Sequence, residues 1–167
     1  MAVTIRTENP LSPEGRALIE ASEAALRAVF PPEECFSFSA EELAGKGTQF
    51  MVARQDGVPV GCVALVDQGG YGEVKRLFVH RDARGTGIGR ALMDELEQAA
   101  RDIGLGCLCL ETGAALSEAV SLYRAMGYHE RAAFGGYPDI PSNMFLQKRV
   151  GHSFAHSGAL EGHAICA

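Results

Sequence analysis

Glu73-Val74-Lys75-Arg76-Leu77-Phe78-Val79 leads, four residues later, into Arg84-Gly85-Thr86-Gly87-Ile88-Gly89-Arg90 and then an amphipathic run. The first segment has the β-branched and aromatic content of a strand, and the second is a glycine-rich turn that opens a helix. Such a junction directs unpaired backbone N–H groups and the positive end of a helix dipole at one spot. That spot is an anion site, and a pyrophosphate suits it. Glycine lets the backbone approach such a ligand, because a Cβ would stand in the way. A phosphate-bearing cofactor is the expectation from these residues alone.

The rest of the chain narrows the class. Its 167 residues suit one domain with its own core. Hydrophobic residues make up 47% and charged ones 22%, a soluble globular balance. The formal net charge of −6 argues against nucleic acid as a partner. No apolar run approaches the ~20 residues needed to span a bilayer, and Met1-Ala2-Val3-Thr4-Ile5-Arg6 lacks the pattern of a secretion signal. No membrane association and a cytoplasmic location are the expectations. Cys35, Cys62, Cys107, Cys109 and Cys166 have no C-x-x-C spacing and read as reduced thiols acting as small apolar side chains.

Ser12-Pro13-Glu14 has the N-cap, first-turn proline and acid of a helix start, and Pro31-Pro32 stops that helix. Ser39 and Glu42 have capping-box spacing before a short second helix. Strands are expected over 48–54 and 58–66, joined at the hairpin signal Asp56-Gly57, and then over 72–80 after Gly69-Gly70. Ile88, Leu92, Leu96, Ala99 and Ile103 form one helical stripe, with Gly104 placed as its C-cap. Cys107 to Leu110 reads as a buried strand, so the strands ending near His80 and Glu111 should be parallel neighbours in a βαβ unit. A helix over 117–126 capped by Gly127, and strands over 128–134 and 143–149, complete the sheet. Residues 1–150 are thus one domain and 151–167 a tail. His152, His156, His163 and Cys166 in that tail are read as incidental, not as a metal site.

In this order of elements, Arg84, Gly87 and Gly89 fill the pattern Q/R-x-x-G-x-G/A, and Leu122-Tyr123-Arg124-Ala125-Met126-Gly127-Tyr128 repeats a second signature. The chain therefore resembles the GCN5-related N-acetyltransferase (GNAT) superfamily over residues 58–149. A dinucleotide fingerprint would need glycine where Arg90 stands, and the preceding β-meander does not suit it. A P-loop would need Gly-Lys-Ser/Thr.

The resemblance implies an α+β single-domain acyl-CoA N-acyltransferase fold, a mixed central sheet with helices on both faces. It implies acetyl-CoA as cosubstrate and direct transfer of acetyl to a primary amine of a small molecule or protein in a ternary complex. It further implies that Arg84, Gly85, Thr86, Gly87, Ile88, Gly89 and Arg90 wrap the pyrophosphate and that Leu77, Phe78 and Val79 pair with pantetheine through their backbone. Glu73 is the implied general base, with Glu111 as the alternative, and Tyr123 the general acid. Homodimers are usual in this superfamily. Where many relatives carry Asn, Leu116-Ser117 stands here. The other function considered is an acyl-CoA-binding sensor that keeps the fold and does no chemistry. For acceptor contacts, the acid-rich residues 1–46, Tyr137 and Asp139 are the candidates.

Overall fold

The computed structural model describes residues 2–151. The histidines and cysteine proposed to be incidental in the tail lie outside the described residues. In chain order the elements are β1 (Val3–Thr7), α1 (Pro13–Arg27), α2 (Ala40–Leu43), β2 (Thr48–Gln55), β3 (Val58–Asp67), β4 (Gly72–Val79), α3 (Ile88–Asp102), β5 (Cys107–Gly113), α4 (Ser117–Ala125), β6 (His129–Glu130) and β7 (Asn143–Arg149). The strands hydrogen-bond in the order β1-β2-β3-β4-β5-β7-β6, a mixed seven-stranded sheet. Two compact units divide the described residues: 2–66 with 74–96, and 67–73 with 97–151.

The first unit is built on antiparallel pairing. The turn at Asp56 (φ 49°) and Gly57 (φ 84°) joins β2 to β3 with both central residues left-handed, the geometry that matches strand twist. β1 pairs with β2 from Val3 opposite Gln55 to Thr7 opposite Met51. The sequence reading had no strand there, because only Val3 and Ile5 of its five residues are aliphatic. Ser12 caps α1 by accepting from the Gly15 N–H at 3.0 Å, and Ser39 and Glu42 form the expected reciprocal box on α2. Leu18 and Ile19 of α1, Leu43 of α2, Phe50 and Val52 of β2, Cys62 and Ala64 of β3 and Phe78 of β4 share one core. Gly61 is required there: a Cβ would come within 2.7 Å of the Phe78 carbonyl oxygen.

β4 is not a regular strand. Arg76 has φ 57°, an uncommon conformation for a residue with a Cβ, and it breaks the alternation of faces. Its guanidinium, buried within this unit, repays the distortion. Nε and Nη2 donate to the Phe38 carbonyl at 3.1 and 3.0 Å, and Nη2 is 2.8 Å from Glu23 Oε2. Lys75 is also buried, with Nζ donating to the Phe36 carbonyl and lying 4.7 Å from the Phe38 ring centre.

Burial alone would raise the Glu23 pKa, but hydrogen bonds from Ser37 and Arg76 outweigh it and leave the carboxyl below its ordinary range. Arg76→Ala should destabilise the fold by about 3 kcal/mol, since it takes the nearest cation from a partly buried carboxylate and leaves it Ser37 and the more distant Arg27. Urea unfolding at neutral pH checks this. The sign with pH follows from the depressed pKa. The pair's contribution is complete above the ordinary carboxylate range and is lost as pH falls through the lowered value, so wild type and variant should converge in acid.

In the second unit, β5 pairs antiparallel with β7 from Cys107 opposite Arg149 to Gly113 opposite Asn143, and β6 adds beyond β7. The expected parallel pairing holds, with Gly72 opposite Leu108 and Glu73 opposite Cys109. Both predicted glycine caps close their helices with paired bonds. Gly104 N–H donates to Arg101 and Leu105 N–H to Ala100, while Gly127 N–H donates to Arg124 and Tyr128 N–H to Tyr123.

Three expectations need correction here. The stripe of α3 buries Ala100, whereas Ile103 is 48% exposed, because the C-cap turns the chain one residue early. The strand expected over 128–134 is only His129–Glu130. Cys35, Cys62 and Cys109 are free thiols, but Cys107 is disulfide-bonded, against the expectation of reduced thiols throughout.

Candidate functional site

Within the first unit, the glycine-rich turn has the form its residues demand. Gly85 (φ 73°) and Gly87 (φ 86°) are both left-handed, and a Cβ at either would meet nothing within 4 Å. The loop therefore needs glycine for its backbone shape and presents an open face. Gly87 C=O accepts from Ala91 N–H at 3.0 Å, which makes Gly87 the N-cap of α3. The N–H groups of Gly85 through Arg90 have no backbone partner among the described residues. Those of Ile88, Gly89 and Arg90 are the unsatisfied donors that a helix start leaves behind, and those of Gly85 to Gly87 belong to the loop before it.

Two side chains brace the loop. Thr86 Oγ1 donates to the Ala83 carbonyl at 2.6 Å, and Arg84 Nε donates to the Val79 carbonyl at 2.9 Å. The Arg84 side chain is thus partly spent on tying the loop to the end of β4, while Arg90 is exposed. Leu77 and Val79 are half-buried and Phe78 is buried.

Within the second unit, Glu73 opens β4 and is only 2% exposed. Its Oε1 accepts a short hydrogen bond from the Tyr137 hydroxyl, and its Oε2 accepts from Gln68 Nε2 at 2.8 Å. Tyr137 packs in a cluster with Phe134 and Phe145, at ring-centre distances of 5.7 and 6.4 Å, and Tyr71 stands edge-on to Phe134 at 5.8 Å. Register places Cys109 opposite Glu73, and Glu111 follows two residues along β5 on the same face. Arg131 donates to Gln147 Oε1 at 3.0 Å and to Cys109 Sγ at 3.5 Å.

Three phenols here are held above their ordinary pKa. For Tyr137 the cause is burial, then its bond to Glu73 and the charges of Glu73 and Glu111. For Tyr123 it is burial and then the charge of Glu111, and for Tyr71 burial and then Glu73. All three are therefore protonated donors at neutral pH. Tyr123 is 5% exposed and packs edge-on to Tyr128 at 5.7 Å. That placement follows from the Gly127 cap, which turns Tyr128 back toward α4.

Sequence reasoning named Glu73, Glu111, Tyr123 and Tyr137 separately. It missed Gln68 and Tyr71, which sit in a turn that reads only as a connection. The acid-rich residues 1–46 are less available than their number suggests. Glu8 and Glu14 both pair with Arg54, Glu41 pairs with Arg16 at 2.8 Å, and Glu23 pairs with Arg76.

Comparison with known proteins agrees with this architecture. Residues 46–130 match the acetyltransferase (GNAT) domain. The chain is 41% identical over 148 residues to an IAA acetyltransferase of Azospirillum brasilense, covering 87% of this chain and 97% of that protein. A structure from Klebsiella pneumoniae assigned as an acyl-CoA N-acyltransferase superposes with a TM-score of 0.75 at 31% identity, covering 89% of this chain and 97% of that one. The PaiA N-acetyltransferase of Thermoplasma acidophilum, solved with coenzyme A, has the same fold, with a TM-score of 0.71 at 18% identity over 89% of this chain and 99% of that one. The chain belongs to the GNAT acetyltransferase family. By class it is an N-acetyltransferase.

No helix among the described residues is long and apolar enough to cross a membrane. No group of metal-ligating side chains occurs among them either.

Proposed function

We propose that this protein transfers the acetyl group of acetyl-CoA directly to a primary amine, with Glu73 as general base and Tyr123 as general acid. The observation that carries the reading is the open, left-handed glycine loop at the start of α3, within the stretch that matches the acetyltransferase (GNAT) domain. The loop's donors at Gly85 to Arg90 suit a pyrophosphate, and its open face leaves room for one. Leu77, Phe78 and Val79, at the end of β4, offer backbone groups to the amides of pantetheine in the manner of an added strand. A backbone N–H there can also stabilise the thioester oxygen as it gains charge.

An alkylamine with a pKa of about 10.4 arrives protonated, so a base must act before it can attack. Glu73 accepts that proton. The amine nitrogen then bonds to the carbonyl carbon, the carbon–sulfur bond breaks, and the sulfur leaves as thiolate. Tyr123 donates its phenol proton to that thiolate. A thiol of pKa about 8.5 leaves without much assistance, so Tyr123→Phe should lower kcat only about tenfold while acetyl-CoA affinity is unchanged. Steady-state kinetics beside a binding titration checks this; an unaltered kcat would remove Tyr123 from the mechanism.

The acceptor is a small molecule or a protein amine. The ligand named for the Azospirillum relative belongs in the first panel, together with alkylamines, arylamines and peptides. Calorimetric titration with acetyl-CoA, followed by thiol release on adding each amine, tests the whole reading. Binding with amine-dependent release supports an enzyme. Binding without release from any amine would instead favour an acyl-CoA sensor, and no binding by folded, CoA-free protein would overturn both.

A further inference from the structure

The base assigned above is a poor fit for direct contact with an acceptor. Glu73 is almost wholly buried, and each of its oxygens already holds a donor, Tyr137 on Oε1 and Gln68 on Oε2. Tyr137, in contrast, is half-buried and stands in the segment between β6 and β7. That segment is held in shape. Asn143 Nδ2 donates to the Pro138 carbonyl at 2.8 Å, Ile140 N–H donates to the same oxygen at 3.1 Å, and the ring of Tyr137 lies against Phe134 and Phe145. The phenol is thus fixed by its ring and by its hydroxyl, and its residue is more exposed than the carboxylate it binds.

Resting on the acetyl-transfer reading, we infer that the Tyr137 hydroxyl is the proton relay between the acceptor amine and Glu73. The ammonium proton passes to the phenol oxygen as the phenol's own proton passes to Glu73 Oε1. One N–H bond breaks, one O–H bond is exchanged and one forms. The products are a neutral amine, an unchanged phenol and a carboxylic acid, so the positive and negative charges cancel. Burial and the neighbouring carboxylates keep Tyr137 protonated at neutral pH, as a relay must be at the start of each turnover. Gln68 cannot play this part, since an amide N–H does not exchange its proton on the catalytic path. Other titratable groups facing this cluster are Glu111 and Cys109 on β5, Tyr71 from the turn before β4, and Arg131 after β6.

The test is Tyr137→Phe, which keeps the ring packing, measured with the best alkylamine of the wild-type panel across pH 7 to 10. At pH 7 kcat/KM for the amine should fall about 100-fold, the scale of one acid–base contribution. Acetyl-CoA affinity by calorimetry should be unchanged. The deficit should narrow as pH approaches the amine's own pKa, where the acceptor is already neutral. Combined with Glu73→Gln, it should add no further loss, because both changes break one path. Full activity of the variant, an equal deficit at every pH, or a loss that multiplies with that of Glu73→Gln would overturn the relay. A wild type that releases no CoA with any amine would overturn the acetyl-transfer reading itself, which is a separate and visible outcome.

Discussion

Glu73→Gln should lower kcat by about 100- to 10,000-fold at neutral pH, the range general-base catalysis contributes, and leave acetyl-CoA affinity within a factor of about two. The substitution preserves shape. A glutamine oxygen can still accept from Tyr137, so the cluster of Tyr137, Phe134 and Phe145 should hold its packing. What is lost is the negative charge and the capacity to take a proton. Because Glu73 lies at the start of β4 and the glycine loop follows the end of that strand, cofactor binding should not register the change. Stopped-flow or steady-state rates with a binding titration separate the two effects. If Glu73→Gln retains wild-type turnover and Glu111→Gln does not, the base is Glu111, which follows Cys109 by two residues on β5.

Gly87→Glu should weaken acetyl-CoA binding by at least about 100-fold, which corresponds to the several kcal/mol that like charges brought together cost. Two independent effects act in the same direction. Gly87 has φ 86°, so any side chain strains the loop that orients the helix donors. The added carboxylate also enters the open space that a pyrophosphate would use. Gly87→Ala isolates the first effect and should cost less. The loop is exposed, so thermal stability should change little compared with Arg76→Ala. Binding of the Glu variant with wild-type affinity would place the pyrophosphate elsewhere.

Much of the architecture was legible because it rests on local rules. Asp56-Gly57, Gly104 and Gly127 each occupy a left-handed position that few other residues accept, so turns and helix ends could be placed to within a residue. Ser12 and the Ser39/Glu42 pair declared their caps by chemistry that acts over three residues. Where the local signal was thin, the reading failed. β1 is a short edge strand whose partner lies 44 to 52 residues along the chain. The strand expected over 128–134 ends at Glu130, and beyond it Arg131 and Phe134 are drawn into side-chain contacts with Gln147 and the aromatic cluster.

By itself, then, the sequence determined the order of elements from α1 onward, the glycine loop at the head of α3, and the identity of the chemically able residues Glu73, Glu111 and Tyr123. All of these depend on residue type and on spacing within a turn or two. Only the tertiary structure decided what those side chains touch. Tyr137 stands 64 residues beyond Glu73 and Gln68 five before it, yet both bind the one carboxylate. Arg76 adopts its left-handed backbone beside Phe38 and Glu23, which are 38 and 53 residues earlier. Contacts over such separations leave no periodicity for a sequence to display, because they arise when strands and loops from distant parts of the chain pack into one place.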